Sequence, residues 1–329
     1  MGILYDETKK LFTLHTAHTS YQMMVDRFGN LLHLYYGARV HGAMDYLLTY
    51  QDRGFSGNPY AAGMDRTYSL DALPQEYPTL GTGDFRNIAF NMKNAHGTEG
   101  TVLLYQGHAI RKGKYALPGL PAVWADEEEA ETLEIVLADA VAGIEVRLLY
   151  AVLDENDVIT RSVVVRNIGT TCVTIEKAAA ACLDLVSGDY DVLRFYGKHA
   201  MERNLERTRL GHGSIRFGSR RGSSSHQYNP GVILAEAGAT ETAGACYGML
   251  FVYSGNFCCE TERDPYAQTR LLMGLNDELF SYPLAPGETF TVPEVILSYS
   301  AHGFAALSQQ YHRCIRKHIC RSPYMHRPR

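Results

Sequence analysis

Apolar and polar residues alternate along much of the chain. In residues 143–152 (GIEVRLLYAV), Ile144, Val146, Leu148 and Tyr150 recur at every second position, the period of a half-buried β-strand. A turn rich in Asp and Asn follows at 154–157. The run ITRSVVVRN then predicts a second strand, rich in β-branched residues and closed by Asn167-Ile168-Gly169. Leu133, Ile135 and Leu137 alternate just upstream, and Val173 and Ile175 continue the pattern downstream. Residues 248–253 and 294–299 read as buried strands, with a turn at Pro286-Gly287 between them. Several strands joined by short turns, with few helical patterns, predict a mainly β protein built as an antiparallel sandwich.

Two stretches depart from this pattern. Phe304, Leu307, Tyr311, Ile315 and Ile319 recur at helical spacing, which predicts a helix over 303–320 that ends before Pro323. Ser300 is the candidate N-cap. Residues 50–90 instead hold Gly54, Gly57, Pro59, Gly63, Pro74, Pro78, Gly81 and Gly83 among many aromatics. That is too long for an ordinary connection, and long loops are either functional or disordered. The rings of Tyr50, Phe55, Tyr60, Tyr68, Tyr77 and Phe85 favour an ordered loop.

The 329 residues allow two domains or one large all-β unit, and 46% hydrophobic with 20% charged residues is a globular composition. A net charge of −5 argues against a general nucleic-acid binder. No acid follows Glu294, whereas six basic residues do: Arg313, Arg316, Lys317, Arg321, Arg327 and Arg329. They complement the C-terminal end of a helix dipole; contact with nucleic acid is the lesser alternative. The seven cysteines include no C-x-x-C. The opening MGILYDETKK lacks the apolar segment of a secretory signal, and no run of about 18 apolar residues occurs. The expectation is a reduced, cytoplasmic protein with free thiols and no membrane span.

Candidate chemistry is sparse. His312, Cys314, His318 and Cys320 suggest a metal site, but at about 100° per residue they spread around the helix, so no metal is expected there. Cys258 and Cys259 are neighbours in a strand and point to opposite faces. The acidic run from Asp126 to Glu134 lacks the turn spacing and Gly of a calcium loop and reads as a solvated edge entering a strand. Gly211-His212-Gly213, Gly218 and Gly222 precede no helix, so they predict a hairpin rather than a phosphate loop. Ser225-His226 is not a catalytic pair by adjacency alone. In 50–90 the pair Asp-Arg occurs twice, at 52–53 and 65–66, beside Asp71, Glu76, Asp84 and Arg86. Acids, arginines and aromatic faces suit sugar binding; the alternative is a loop bracing itself with salt bridges.

Several segments carry a resemblance. LDALPQEYPTLGTGDFR (70–86), GLPAVWADEEEAETLEIVLAD (119–139), VITRSVVVRN (158–167), RRGSSSHQYNP (220–230), FVYSGNF (251–257), MGLN (273–276) and LAPGETFTVPEVILSYS (284–300) run in order over nearly the whole chain. The sequence resembles the N-terminal portion of bacterial α-galactosidases of glycoside hydrolase family thirty-six. The resemblance implies a β-supersandwich of galactose-mutarotase-like fold over residues 1–300. Residues 301–329 would be a linker helix and the start of a (β/α)₈ barrel. In the family that barrel carries a nucleophilic Asp in a Lys-Trp-Asp motif and a second Asp as acid/base, for retaining hydrolysis. Neither motif is present: Trp124 stands in Val-Trp-Ala-Asp. This chain is therefore expected to be inactive alone, with no catalytic residue and no cofactor.

The implied role is to buttress the barrel, support homo-oligomerisation and lend loop residues to a pocket for α-galactosides such as melibiose and raffinose. The segment Tyr50-Gln51-Asp52-Arg53-Gly54-Phe55-Ser56 matches the family's loop of that kind, so the resemblance assigns substrate contact to Asp52 first and Arg53 second. The rival reading of Asp52 is a loop brace. A stand-alone carbohydrate-binding or scaffold protein is the alternative for the whole chain. A third reading, a mutarotase-like epimerase, requires a His and a carboxylate converging in a cleft.

Overall fold

A computed structural model describes residues 2–52, 54, 60–322 and 324. The chain begins with β1 (Ile3–Asp6), β2 (Leu11–His15), β3 (Thr19–Val25) and β4 (Leu31–Ala38), a four-stranded antiparallel meander. After the long loop come β5 (Phe90–Lys93), β6 (Leu104–Lys112), β7 (Glu131–Asp139), β8 (Ile144–Leu153), β9 (Val158–Asn167) and β10 (Val173–Leu185). Then follow β11 (Tyr190–Lys198), β12 (Met201–Arg209), β13 (Gly213–Ser219), β14 (Tyr228–Glu236) and β15 (Cys246–Phe251). The last elements are β16 (Phe257–Arg263), β17 (Thr269–Leu275), β18 (Tyr282–Leu284), β19 (Thr289–Ser300) and the helix α1 (Gly303–His318).

A nine-stranded sheet has the order β12-β11-β14-β15-β19-β9-β8-β7-β6, and a six-stranded sheet runs β13-β16-β17-β10-β18 with β5 also on β10. Every pairing between these strands is antiparallel. The alternation at Leu133, Ile135 and Leu137, and at Ile144, Val146, Leu148 and Tyr150, turns these side chains into the main core between the sheets. The predicted strand ITRSVVVRN forms β9 with Val163 and Val165 in that core. Fully burying such side chains contributes about 1.5–3 kcal/mol each.

The outer face of the nine-stranded sheet forms a second core under α1 and the segment 115–125. Leu307, Tyr311 and Cys314 are buried there, and Phe304 and Ile319 pack at its edge. A side chain at Gly248 on β15 would collide with the Tyr311 hydroxyl, so glycine lets the helix lie on the sheet. His318 closes the contact: its ring nitrogens lie 2.9 Å from the Trp124 carbonyl and 2.9 Å from the Asn156 side-chain oxygen. Ser300 is not the N-cap. It ends β19, and the helix starts after His302, whose backbone N–H donates to the Ser300 hydroxyl at 3.0 Å. The chain needs an extra turn because Gly303, at φ 77, passes against the backbone of 240–243, too close for any Cβ.

Candidate functional site

The 50–90 stretch divides into two parts. The first crosses the outside of the four-stranded meander. Leu48, Ala62, Tyr68, Leu70 and Leu73 pack on Leu11, Leu32 and Leu34 in a third, small core. Tyr68 is the anchor. Its hydroxyl donates to Asp26, accepts from Asn30 Nδ2 at 2.7 Å, and its ring stacks on Tyr50 at 6.3 Å. Burial, reinforced by the Asp26 carboxylate, pushes the Tyr68 phenol far above its ordinary range.

Asp52 rides on this anchored loop with its side chain 53% exposed. Its Oδ1 accepts from the Gly54 backbone N–H at 2.8 Å and faces Arg66 Nη2 at 3.2 Å. Arg53 lies outside the described residues. Asp52 thus meets Arg66, and Asp65 meets Arg27 at 2.5 Å. Both pairs are exposed; the first ties the loop across its neck, and the second ties it to the turn between β3 and β4. The expected brace and an exposed carboxylate coexist at Asp52, since both named contacts use only Oδ1.

The second part, 69–89, carries its charged residues Glu76, Asp84 and Arg86 into the interior, while Leu80 and Phe85 stay exposed. Glu76 Oε1 accepts from the hydroxyls of Tyr21 at 2.6 Å and Tyr150 at 2.7 Å, and pairs with Arg161 at 2.7 Å. Its Oε2 lies 3.1 Å from His33 Nδ1. Burial alone would raise the Glu76 carboxyl; Arg161 and His33 outweigh it and hold the group below its ordinary value. A second cluster joins Asp84 and Arg86 of the loop to Asp184 of β10 and Arg270 of β17. Arg270 pairs with Asp184 at 2.7 Å and with Asp84 at 2.9 Å, while Arg86 donates to the Leu70 and Leu73 carbonyls at 2.8 Å each. Here the salt-bridge reading of the loop wins.

His33 and Glu76 are a His–carboxylate convergence, as an epimerase would need. Both are buried, and Glu76 is committed to four partners, so no substrate reaches them. At the surface His18 Nδ1 lies 2.7 Å from Asp157 Oδ2, but Asp157 also accepts from Thr16 and the His18 backbone N–H. It serves as a corner between β2, β3 and the turn before β9.

His312, Cys314, His318 and Cys320 do not converge: Cys314 and His318 are buried in different contacts, and His312 and Cys320 are turned outward. The sequence missed another cluster, where ligand atoms of Cys258, Glu260 and Asp277 lie within 4.8 Å of one another. Lys177 Nζ sits 2.5 Å from Glu260 Oε2, and Arg216 Nη1 sits 3.0 Å from Oε1. Burial pushes the Cys258 thiol up to about 12. A protonated thiol beside carboxylates already paired with two cations is poor metal-binding chemistry. Strand pairing of β16 with β13 and β17 creates this cluster, so no sequence spacing announces it.

A family model described as the glycosyl hydrolase family 36 N-terminal domain matches residues 29–285. The bifunctional alpha-galactosidase/sucrose kinase AgaSK of Mediterraneibacter gnavus is 74% identical over 329 residues, 100% of this chain and 35% of that protein. Alpha-galactosidase AgaA of Geobacillus stearothermophilus is 41% identical over 333 residues, 100% of this chain and 45% of the relative. The solved galactosidase domain of AgaSK matches with a TM-score of 0.98 at 75% identity, over 99% of this chain and 46% of that one. A variant of AgaA solved in complex with raffinose matches with a TM-score of 0.94 at 42% identity, over 97% and 45% of the two chains. The chain thus spans less than half the length of these relatives. It belongs to glycosyl hydrolase family 36, of which it forms the N-terminal β-sandwich domain.

Proposed function

We propose that this chain acts as the non-catalytic module of an α-galactosidase, in which a (β/α)₈ barrel supplies both catalytic carboxylates. Residues 1–300 form the sandwich and 301–329 the connection toward that barrel. The module buttresses the barrel and supports a homo-oligomer. Its loop at 48–66 lends Asp52, and Arg53 beside it, to the pocket that holds a terminal α-galactosyl group of melibiose, raffinose or a longer oligosaccharide. The observation that carries this reading is the full-length match to enzymes more than twice as long, one of them solved with raffinose. An exposed carboxylate on an anchored loop supports the assignment of Asp52, because a carboxylate accepts hydrogen bonds from two adjacent sugar hydroxyls.

The test is a chimera in which this chain replaces the matching segment of the M. gnavus enzyme. Asp52→Asn in that chimera should lower kcat/KM for raffinose by the equivalent of about 1.5–3 kcal/mol, one charge-assisted contact, with an unchanged melting temperature. A lower melting temperature with unchanged kinetics per folded molecule would leave Asp52 as a brace only. The 329-residue chain by itself should turn over no aryl α-galactoside.

A further inference from the structure

The segment RRGSSSHQYNP (220–230) borders a cleft with a volume of about 750 Å³. One wall comes from β11, β12 and the start of β14, at the end of the nine-stranded sheet; the other is β13 of the six-stranded sheet and the turn that follows it. The walls meet where the Arg194 guanidinium of β11 lies 5.6 Å from the centre of the Phe217 ring of β13. The charged residues of the lining are Arg194, Arg216, Arg220, Arg221 and a single acid, Glu206. In a chain of net charge −5, four arginines in one cleft are a local reversal of sign.

The arginines are unequally engaged. Arg194 Nε and Nη2 both lie 2.9 Å from Glu206 Oε2. Arg216 is held by Glu260 at 3.0 Å and by Asp277, carboxylates outside the lining, and Lys177 Nζ shares Glu260 at 2.5 Å. Arg220 meets Glu278 in a pair whose side chains are 67% and 44% exposed. Such a pair is weak in high dielectric and yields to a competing anion. Arg221 is exposed, and among the described residues its side chain has no hydrogen-bond or ion-pair partner. The turn that carries it is nevertheless fixed. Ser219 Oγ donates to the Ser223 carbonyl at 2.6 Å and accepts from the Arg221 N–H at 3.3 Å, and the Gly222 N–H donates to Asn256 Oδ1 at 2.6 Å. A free guanidinium on a braced turn gives up only side-chain freedom when it binds.

A guanidinium has five N–H donors in a planar fork, so pairing with one carboxylate leaves donors unused. That fork and its permanent charge suit bidentate contact with phosphate oxygens. A phosphate monoester carries a charge of about −1.5 to −2 at pH 7, more than one arginine neutralises, and Arg220 stands next to Arg221 on the same turn. The cleft is also far larger than a bare phosphate ion, and its volume is within the range of about 300–1,000 Å³ typical of small-molecule sites.

We propose that this cleft binds the phosphoryl group of a small phosphorylated molecule, with Arg221 as the principal contact and Arg220 and Arg216 completing the charge. No residue of the 48–66 loop lines it, so the site stands or falls apart from the Asp52 assignment.

The experiment is calorimetric titration of the 329-residue chain at low ionic strength with inorganic phosphate, glucose 6-phosphate, glucose and an oligoglutamate peptide. Inorganic phosphate and glucose 6-phosphate should bind with Kd of about 1 mM or lower, and glucose should not bind. Tighter binding of the ester assigns the ligand as a phosphate ester; tighter binding of the free ion assigns it as inorganic phosphate, and both support the site. Arg221→Ser should weaken binding about tenfold or more, whereas Arg221→Lys, which keeps the charge, should retain part of it. Arg313→Ser, which removes an exposed charge outside the cleft, should change nothing. Absence of phosphate binding, survival of it in Arg221→Ser, or equal loss in Arg313→Ser would overturn the proposal. So would binding of oligoglutamate alone, which would make the cleft a dock for an acidic protein segment.

Discussion

Residues 48–66 and residues 69–89 are alike in composition, each mixing Gly, Pro, aromatic rings, Asp and Arg. The structure puts them to opposite uses. The first carries its charges at the surface, where Asp52–Arg66 and Asp65–Arg27 are exposed pairs in high dielectric. Such pairs contribute about 0–1 kcal/mol. The second carries Glu76, Asp84 and Arg86 into the interior, where each has several fixed partners. What separates the two is what lies beneath them. Residues 48–66 have one small apolar cluster on one side, whereas 69–89 threads between the meander and the two large sheets and meets Arg161, Asp184 and Arg270 there. Asp52, Asp65 and Arg66 in the first segment sit in exposed pairs; Glu76, Asp84 and Arg86 in the second are part of the frame.

The widest gap between the segments should appear on breaking the Glu76–Arg161 pair. Both side chains are fully buried, and Arg161 also donates to the carbonyls of Cys182 and Glu76 at 2.8 Å each. Arg161→Met leaves the buried Glu76 carboxylate without its arginine, with only His33 and the hydroxyls of Tyr21 and Tyr150 around it, so a loss of about 3–5 kcal/mol is expected. Urea unfolding measures it. Glu76→Leu combined with Arg161→Met should recover part of the loss, because the orphan charge is gone. A single variant within about 1 kcal/mol of the parent would mean that the pair does not hold the meander to the sandwich.

Next in size is the acid sensitivity of the second cluster. Burial works against ionising Asp184, but the paired Arg270 outweighs it and holds the carboxyl at about 2, against 3.8 as the ordinary value. A folded value below the unfolded one means stability that is present above the unfolded pKa and is lost as pH falls through the folded pKa. The window is therefore about pH 4 to 2, and the amount is on the order of 2–3 kcal/mol. Asp184→Asn should flatten the stability curve in that window while lowering stability at neutral pH. Unfolding curves at several pH values report both, and an unchanged acid slope would remove Asp184 from the account.

The anchor of the exposed segment should rank third. Tyr68→Phe keeps the ring on Tyr50 and in the small core but removes the hydroxyl bonded to Asp26 and Asn30. Asp26 retains backbone donors from Phe28 and Asn30 at 2.8 Å each. The cost should therefore stay near 0.5–1.5 kcal/mol. Hydrogen exchange confined to 48–66 should rise while exchange in β8 and β9 does not. Equal acceleration across the sheets would show that the loop and the frame unfold as one unit.

Much of the frame was legible in the sequence because a strand buried on one face must alternate. β7, β8 and β9 fall where Leu133, Ile144 and Ile159 begin their patterns, and α1 falls where Phe304, Leu307 and Tyr311 recur. The helix start was legible, but its cap was not: Ser300 has the chemistry of a cap, yet the chain reverses at Gly303 against 240–243, a contact no local rule contains. The candidate site was less legible. Asp52 came from a resemblance, and nothing in the spacing separated its charge from Asp84, whose partner Arg270 lies on β17, far along the chain.

The smallest expected effect sharpens the comparison most. Asp52→Asn removes an exposed pair with Arg66 but keeps an oxygen that can accept from the Gly54 N–H. Stability should change by less than about 0.5 kcal/mol, the range of exposed substitutions and surface pairs. Arg66→Ala, which removes the partner and leaves the carboxylate, should do no more. Thermal melts of both variants beside Arg161→Met measure the contrast directly. A loss above about 1 kcal/mol in either variant would place the neck pair in the frame, and 48–66 would then be a structural loop like 69–89. Near-silence in both leaves the Asp52 carboxylate thermodynamically unneeded by the fold, which is the condition under which its charge is available to a sugar.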